Sequence, residues 1–255
     1  MKLETANLSI YYKQVEALQR INMNLSRPGV YGIVGENGSG KSTLLKSLCG
    51  LCQPSSGDIL YTNKALKDIP LAERAKLWAY VPQRSHYDRS MQVYDYLILG
   101  RKPYFTWTPS TNDHNRVKSV LSLYELDHIA SRTMSQISGG ERQRVVIGRT
   151  ILQDTPYVYL DEPTNNLDIK HQLLLMKQLQ HYAEQGKIVV MAVHDLNLAL
   201  RYCDHIYILA KGALLAEGKP EEVLTEKNLN EALQIKGQIH RDDKGKIYLY
   251  PEIDM

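Results

Sequence analysis

The stretch that decides the fold is Gly35-Glu36-Asn37-Gly38-Ser39-Gly40-Lys41-Ser42-Thr43. It shows the pattern G-x-x-x-x-G-K-[ST] in full, in which glycines let the backbone wrap an anion with successive N–H groups pointing inward. The apolar run 30–34 before it predicts a short buried strand, and residues 43–48 after it have helical spacing. Strand, glycine loop and helix together predict a phosphate-binding loop. A glycine-rich turn that binds nothing is the alternative, and the flanking context argues against it.

Two side chains of this loop carry nucleotide chemistry. Lys41 supplies a cation for the β- and γ-phosphates, and Ser42 can offer its hydroxyl to Mg²⁺. The helix that follows adds the positive end of its dipole at the same point. We therefore expect a nucleoside triphosphate and Mg²⁺ to bind here.

Composition and charge narrow the class of protein. The chain has 255 residues, of which 43% are hydrophobic and 23% charged, as expected for a globular protein with a core. A net charge of +3 without a run of like charges argues against nucleic acid as the main partner. No stretch approaches the ~18 apolar residues that span a bilayer, and the first residues lack the apolar segment of a signal peptide. We expect the chain in the cytosol unless something holds it at a membrane.

The cysteines point to a reducing compartment, because their number is low and odd: Cys49, Cys52 and Cys203. The first two form a C-x-x-C pattern, which could be a redox or metal half-site. Gly50 between them predicts a helix end, and no second cysteine pair exists to complete a zinc site. A role in the core is therefore favoured.

The remaining pattern predicts a mixed α/β chain. Residues 85–153 have mostly helical spacing, which predicts a helical lobe inserted into a sheet domain. Residues 237–251 predict a β-hairpin that turns near Lys244-Gly245. Further strands are predicted at 3–10, 15–25, 57–61, 77–81, 157–160, 188–193, 205–210 and 213–216.

Paired acids end the buried strand predicted over residues 157–160. Charged groups there are costly unless they meet a cation or take part in chemistry. Asp161 is placed to hold the hydration shell of Mg²⁺ beside the phosphate loop, and Glu162 can accept a proton from an attacking water. A solvated turn is the alternative, which the metal required by the loop disfavours.

Two more polar side chains follow predicted strands, at the sheet edge where ligands of open α/β sheets bind. Gln83 follows the strand 77–81, and His194 follows the fully buried strand 188–193. From that position His194 could reach a γ-phosphate. A solvated glutamine and a structural histidine are the alternatives.

Two other places leave alternatives open. Tyr12 could stack on a flat base or could be a surface tyrosine at a strand end. Ser138 and Glu141 form a capping box at a helix start, which is a structural device. Gly139-Gly140 in the first turn cost helix stability, which makes sense if a bulky anion approaches the backbone N–H groups closely.

With these residues assembled, the chain resembles a known family over nearly its whole length, the ATP-binding cassette (ABC) ATPases. The family has a signature motif that usually ends in Ser-Gly-Gly-Gln, and Glu141 of this chain replaces its glutamine. In the helix that follows the signature, Gly148 stands where alanine is usual, which predicts that this helix is slightly looser. Seven motifs stand in the family's order: the aromatic residue that stacks on adenine (Tyr12), the Walker A loop (Gly35–Thr43), the Q-loop glutamine (Gln83), the signature (Ser138-Gly139-Gly140-Glu141), Walker B with its catalytic glutamate (Tyr157–Glu162), the D-loop (Asn165–Asp168) and the switch histidine (His194).

The resemblance implies a fold and its division. The fold is α/β, a P-loop NTPase core sheet with an antiparallel β subdomain and an inserted helical lobe. An ATPase domain would span residues 1–236, with the helical insert at about 85–153, and a β-hairpin tail would occupy residues 237–255.

The resemblance also implies the roles of individual residues. Glu162, His194 and Lys41 would be catalytic, and Ser42, Gln83 and Asp161 would hold Mg²⁺. The ATP-binding set would be Tyr12, Gly35, Glu36, Asn37, Gly38, Ser39, Gly40, Lys41, Ser42, Thr43, Gln83, Ser138, Gly139, Gly140 and Asp168.

The implied partners follow from family architecture. Two copies would pair head to tail, so that ATP lies between the Lys41 loop of one and Ser138-Gly139-Gly140 of the other. The pair would sit on the cytoplasmic face of the inner (plasma) membrane as a peripheral ATPase, under two permease subunits that a substrate-binding protein serves indirectly.

The motifs around His171-Gln172 and residues 194–199 resemble bacterial importers of iron–siderophore complexes, haem and vitamin B12. Alternatives are an importer of another metal or small solute, a soluble cassette acting on ribosomes or DNA, and a small-molecule P-loop kinase.

Overall fold

The computed structural model describes residues 2–83, 87–243 and 247–252. Its strands are β1 (Leu3–Tyr12), β2 (Val15–Leu25), β3 (Gly29–Val34), β4 (Ser56–Tyr61), β5 (Lys64–Ala65), β6 (Trp78–Val81), β7 (Tyr157–Asp161), β8 (Ile188–Ala192), β9 (His205–Ala210), β10 (Ala213–Gly218), β11 (Lys236–Arg241) and β12 (Ile247–Glu252). Its α-helices are α1 (Lys41–Leu48), α2 (Leu71–Leu77), α3 (Val93–Ile98), α4 (Thr111–Leu123), α5 (Gly139–Leu152), α6 (Ile169–Glu184), α7 (Leu196–Tyr202), α8 (Pro220–Val223) and α9 (Glu226–Leu233). Short 3₁₀ helices span Leu66–Asp68, Leu99–Tyr104 and Asp127–Ile129.

The central sheet has six strands in the order β10-β9-β3-β8-β7-β6. Strands β9, β3, β8, β7 and β6 run parallel, and β10 pairs antiparallel with β9. Every residue of β3, β7 and β8 is buried, as expected for parallel strands covered on both faces. The predicted α/β core is confirmed, and the carboxyl ends of β3, β7 and β8 lie side by side.

Alternate residues along these strands enter two separate hydrophobic clusters, because successive side chains of a strand point to opposite faces. On β8, Val190 belongs to the cluster shared with α1 and the antiparallel sheet β2-β1-β4-β5. Its neighbours Val189 and Met191 belong to the cluster that includes the helical residues 93–152 and α6 and α7. The core sheet is therefore a middle layer between a β subdomain and a helical layer.

A buried ion pair holds helices of the helical lobe to one another. Arg101 Nε lies 2.8 Å from Asp113 Oδ1, and its Nη1 donates to the carbonyl of Leu152 at 2.9 Å. Asp113 also completes a capping box with Ser110 at the start of α4. The hydrogen bond from Arg101 lowers the pKa of Asp113 to about 2. Of the predicted lobe 85–153, residues 85 and 86 lie outside the described residues.

Gly148 has a packing reason that the sequence pattern did not indicate. A Cβ at this position would lie 2.8 Å from Val120 Cγ1 and 3.3 Å from Leu97 Cδ2. The glycine thus allows α5 to approach α3 and α4 closely. The sequence predicted only that Gly148 loosens α5 slightly, and it did not predict this close packing.

Two predicted boundaries shift by a few residues. Leu77 is the last residue of α2 and precedes β6, because a short apolar run does not by itself separate a helix end from a strand start. The last strand of the central sheet, predicted over 213–216, extends to Gly218.

The C-terminal strands β11 and β12 pair antiparallel, with Lys236 opposite Glu252 and Arg241 opposite Ile247. The predicted turn at Lys244-Gly245 lies outside the described residues. Asn197 of α7 fastens the hairpin to the core, since its side-chain amide donates to the carbonyl of Leu249 at 3.1 Å and accepts from its N–H at 2.8 Å. Across the described ranges, no helix has the length and apolarity that crossing a membrane requires.

Candidate nucleotide site

The loop between β3 and α1 has a backbone that needs glycine at several positions. Gly38 and Gly40 have φ of 84° and 105°, in the left-handed region that favours glycine. A Cβ on Gly40 would lie 2.7 Å from the carbonyl oxygen of Ala17, and one on Gly35 would lie 2.3 Å from that of Leu209. The loop is therefore wedged against β2 and β9, and its shape depends on these glycines.

Lys41 is buried within this loop. Its Nζ donates to the carbonyl oxygens of Gly35 at 2.8 Å and Glu36 at 2.9 Å. Burial lowers the pKa of Lys41, while the charges of Glu162 and Asp161 raise it. The ammonium group thus lies at the N-terminus of α1, close to two carboxylates.

The residues present fit a bound polyphosphate. Ser39 Oγ is buried in the loop and has no hydrogen-bond partner among the described residues. An unpaired buried hydroxyl costs about 1–3 kcal/mol, so an acceptor oxygen delivered to the loop would relieve it. The N-terminal N–H groups of α1 and the Lys41 ammonium offer further donors to the same anion.

The adjacent residues fit Mg²⁺. Ser42 Oγ lies 3.0 Å from Asp161 Oδ1, and these oxygens are ligands of the kind that Mg²⁺ prefers. Burial raises the pKa of Asp161, which a cation at this point would offset. In the part of the chain that the structure describes, no group of three His, Cys, Asp or Glu side chains could hold a metal. The ion would therefore need phosphate oxygens and water as its remaining ligands.

Glu162 follows Asp161, the last residue of β7, and its carboxylate is hydrogen-bonded to three side chains. Its Oε2 accepts from the amides of Gln83 and Asn165, each at 2.6 Å, and its Oε1 lies 2.5 Å from His194 Nε2. Burial raises the pKa of Glu162, but the hydrogen bonds from His194, Gln83 and Asn165 outweigh it, so the pKa is lowered overall. The carboxylate is thus kept ionised and fixed in direction.

The backbone of Glu162 has an uncommon conformation. Its φ is 53°, which is uncommon for a non-glycine residue and clusters at active sites. The side chain is 7% exposed although it is charged. The turn at this residue directs its carboxylate across the carboxyl ends of the neighbouring strands toward Gln83 and His194.

Two sequence-predicted residues, Gln83 and His194, both contact Glu162. Gln83 Nε2 donates to Glu162 Oε2 at 2.6 Å. His194 contacts Glu162, and 42% of its side chain is exposed. A metal role for Gln83 and a phosphate role for His194 stay predictions.

Tyr12 is the last residue of β1 and lies close to Cys52, which follows α1 in the chain. Its hydroxyl is 3.5 Å from Cys52 Sγ, and the residue is 49% exposed. This hydrogen bond and burial raise the pKa of Tyr12. The exposed ring leaves room for a flat base, and the stacking role stays a prediction.

Four of the predicted ATP ligands, Ser138, Gly139, Gly140 and Asp168, lie at the starts of α5 and α6 and outside the Lys41 loop. The capping box predicted for α5 is confirmed, with Ser138 N–H donating to Glu141 Oε2 at 2.8 Å. A Cβ on Gly139 would meet nothing within 4 Å, so this helix start faces open space. Asp168 caps α6, and 65% of its side chain is exposed. Within the described residues, the side-chain hydrogen bonds of Ser138 and Asp168 stay within their own helix starts.

Two site residues escaped sequence reasoning. Tyr80 Oη donates to Asp161 Oδ2 at 3.3 Å, and Asn165 donates to Glu162. Tyr80 could be found only by knowing that β6 lies next to β7. Asn165 lies in a recognised motif, and its spacing of three from a glutamate in a tight turn was the available signal.

Comparison with known proteins gives consistent matches. The family model described as ABC transporter matches residues 18–165, which is more than half of the chain. An uncharacterized ABC transporter ATP-binding protein of Methanocaldococcus jannaschii is 40% identical over 90% of this chain and 90% of its own length. The petrobactin import ATP-binding protein FpuD of Bacillus anthracis is 36% identical over 94% of this chain and 89% of its own. The hemin import ATP-binding protein HmuV of Gloeobacter violaceus is 36% identical over 88% and 84%.

Two solved structures have the same fold. One is described as an inward-facing conformation of a metal-chelate type ABC transporter, with a TM-score of 0.81, 26% identity, and coverage of 98% of this chain and 96% of that chain. The other is a dimeric ATP-binding cassette in a post-hydrolysis state with ADP and phosphate bound, with a TM-score of 0.79, 28% identity, and coverage of 86% and 98%.

Proposed function

Because the chain belongs to the ABC transporter family, we propose that it is the ATP-hydrolysing subunit of a bacterial importer for an iron–siderophore complex, haem or cobalamin. The single observation that carries the hydrolytic part is the cluster at the ends of β7 and β8, where a clamped Glu162 adjoins the Ser42–Asp161 pair. The importer part is supported by relatives over nearly the whole chain that are named for petrobactin and hemin import.

The ATP phosphates would lie in the loop of residues 35–43. Lys41 and the N–H groups at the start of α1 would bind the β- and γ-phosphates, and Tyr12 would stack on the base. Ser42 and Asp161 would hold Mg²⁺, which when bound offsets charge on the phosphate oxygens. Moving the Lys41 ammonium from the loop carbonyls to phosphate oxygens exchanges neutral acceptors for charged ones, which strengthens each hydrogen bond.

Hydrolysis would depend on how Glu162 is held. Its carboxylate can accept a hydrogen bond, and then the proton, from a water that attacks the γ-phosphate. A lowered pKa makes it a weak base, so its main contribution is to orient the water, as expected for phosphoryl transfer. His194 and Gln83, which contact the carboxylate, would keep it aimed and would lie at the edge that a γ-phosphate approaches.

A second copy of the chain would complete the site. Ser138, Gly139 and Asp168 are exposed at the starts of α5 and α6, outside the loop of residues 35–43. We expect them, with Gly140, to serve a nucleotide that another molecule brings. The open start of α5 is suited to a γ-phosphate, because its N–H groups and dipole attract an anion. The dimeric cassette among the similar structures supports this arrangement.

The permease would dock on the side that carries α2 and the 3₁₀ helix Leu99–Tyr104. Three large apolar side chains of these two helices are exposed, Leu71 at 78%, Leu99 at 38% and Tyr104 at 41%, and Trp107, exposed at 92%, follows three residues after Tyr104. Exposed apolar side chains in one area are typical of a protein interface. α2 leads directly through β6 to Gln83, so a permease bound there could influence the Glu162 clamp. The chain would thus sit at the cytoplasmic face of the membrane, without nucleic acid as a partner.

The proposal is tested by transport in a reconstituted system. The chain is purified with its two permease subunits in proteoliposomes, and uptake of an iron–siderophore complex, haem and cobalamin is measured together with phosphate release. We expect ATP-dependent uptake of one of these cargos, and its loss in Glu162→Gln. Uptake of a different metal or solute would correct the cargo. Phosphorylation of an acceptor, or cosedimentation with ribosomes and not with membranes, would overturn the transport function.

A further inference from the structure

His171 lies in the first turn of α6 and connects two parts of the cassette. Asp168 Oδ1 accepts from the backbone N–H of His171 at 2.9 Å and lies 2.7 Å from its ring Nδ1. A carboxylate accepts hydrogen bonds only, so Nδ1 carries the ring proton. A ring that carries its proton at Nδ1 presents an acceptor lone pair at Nε2.

The Nε2 side of the ring faces the helical lobe. Arg144 of α5 directs its Nη1 at His171 Nε2, and Glu125, just after α4, lies with Oε2 3.7 Å from the same nitrogen. Lys170 pairs with Glu125 at 3.0 Å on the exposed side. The charged groups around the ring are therefore Asp168, Arg144, Glu125 and Lys170. The ring bridges Asp168 and Arg144, with one nitrogen donating and the other accepting.

Asp168 ends a loop of residues 163–168 that precedes α6. Side chains of both α5 and α6 donate hydrogen bonds to the backbone of this loop. Gln172 Nε2 of α6 donates to the carbonyl of Leu167 at 3.1 Å, and Gln143 Nε2 of α5 donates to that of Pro163 at 3.1 Å. Gly140 lies close to this loop as well, since a Cβ there would be 3.3 Å from the carbonyl of Asn166. The loop and the start of α5 are thus neighbours on one exposed surface.

We propose that His171 is a positioning residue, which ties Asp168 to Arg144 and so keeps the D-loop and the Ser138–Gly140 turn in register for a second copy of this chain. This inference rests on the proposed function, because both surfaces act on a nucleotide carried by the other molecule. His171 itself touches no part of the loop of residues 35–43. Its loss should therefore weaken pairing of the two copies without weakening nucleotide binding to each one.

The surroundings of the ring make the idea testable with small changes. A cavity beside His171 is lined by Tyr124, Arg144 and Gln178, among others. Among the described residues, Tyr124 Oη, Arg144 Nε and Gln178 Oε1 are buried without a partner. A shorter polar side chain at 171 would leave space that water can fill, since such a cavity offers it several partners. His171→Asn and His171→Gln are therefore expected to fold.

The two variants separate the two halves of the bridge. Asparagine places an amide near the position of Nδ1 and keeps the contact with Asp168, whereas glutamine reaches the position of Nε2 and keeps the contact with Arg144. A bridge needs both contacts, so each variant should weaken it. Lys170→Ala is the matched control, since it removes an exposed ion pair of the same cluster, which contributes little.

The experiment measures ATP-dependent dimerisation by sedimentation in a Glu162→Gln background, where ATP stays bound. We expect His171→Asn, His171→Gln and Arg144→Ala each to raise the dimer dissociation constant about tenfold. Combining His171→Asn with Arg144→Ala should add little to the effect of either change alone. ADP affinity of the monomer and the midpoint of thermal unfolding should change little in the His171 variants, and Lys170→Ala should match the parent.

The possible results distinguish a failure of the His171 role from a failure of the proposed function. If the Glu162→Gln parent does not dimerise with ATP, the proposed function fails. If the parent dimerises and both His171 variants dimerise equally well, or if the losses from His171→Asn and Arg144→Ala simply add, the positioning role is wrong. A fall in monomer ADP affinity equal to the fall in dimerisation would also overturn it, because it would indicate general damage to the fold. Should one His171 variant fail to fold, the other decides the question.

Discussion

Asn165 should contribute to the rate of ATP hydrolysis, because it is one of the three side chains that donate hydrogen bonds to the Glu162 carboxylate. Its Nδ2 donates to Glu162 Oε2 at 2.6 Å, beside the Gln83 amide that donates to the same oxygen at 2.6 Å. In Asn165→Ala the carboxylate loses this support and gains freedom to turn. A hydrogen bond to a charged group is worth about 1.5–3 kcal/mol, and two other donors remain.

A loss near the lower end of that range corresponds to a fall in kcat of about tenfold, since about 1.36 kcal/mol is a factor of ten in rate. KM for ATP should hardly change, because Asn165 contacts Glu162 and not the loop of residues 35–43. Asn165→Asp should be worse than Asn165→Ala. It places a second carboxylate against Glu162, and like charges disfavour the ionised form on which the water depends.

The assay is steady-state phosphate release by the chain with its permease, with kcat and KM obtained separately. Asn115→Ala is the matched control, since Asn115 is an exposed residue of α4 in the same chain. The reasoning is refuted if Asn165→Ala keeps kcat within about twofold of the parent, or if the whole effect appears in KM, which would indicate uniform binding instead of transition-state positioning.

The remaining predictions concern Lys41, the ion pair between Arg101 and Asp113, and the packing of the helices around Gly148. Lys41→Ala removes a buried cation that two carboxylates face, and ATP binding measured by titration calorimetry should fall at least about tenfold, with retained affinity contradicting the role. Asp113→Ala leaves Arg101 as an uncompensated buried charge and should cost about 3–5 kcal/mol in unfolding by urea, whereas a loss below about 1 kcal/mol would contradict it. The pKa of Asp113 is lowered to about 2, so its stabilisation is complete above the unfolded-state pKa near 4 and is lost as pH falls toward 2; Asp113→Asn should lack this acid dependence. Gly148→Ala puts a Cβ 2.8 Å from Val120 Cγ1 and should lower the unfolding free energy by about 1–3 kcal/mol, although alanine favours helix, and a gain in stability would contradict the packing argument.

Some features of the site were predictable because they depend on short stretches of chain. The loop of residues 35–43 carries its own conformation in its glycines, and Gly38 and Gly40 have the positive φ that the pattern requires. The capping box of Ser138 and Glu141 is equally local, because its two hydrogen bonds join residues three apart. Buried parallel strands such as β8 are recognisable as continuous apolar runs.

Contacts between distant segments were not predictable in this way. The hydrogen bond from Gln83 to Glu162 was not predicted, and neither was the one from Tyr80 to Asp161. Both follow from the lateral order of β6, β7 and β8 in the sheet, which the spacing within each strand does not encode. The link from His171 to Arg144 likewise depends on how α6 packs against α5.

The amino-acid sequence by itself determined the phosphate-binding loop, the types of the secondary-structure elements and the set of polar residues at strand ends. These features depend on residue type and on the spacing of residues that are close in the chain. Only the tertiary structure decided which of those polar groups meet: it gave Glu162 three donors, set Asp161 against Ser42 and Tyr80, and left Ser138 and Asp168 facing outward. The physical reason is that hydrogen bonds and ion pairs act over about 3 Å, so they depend on the packing of segments far apart in the chain.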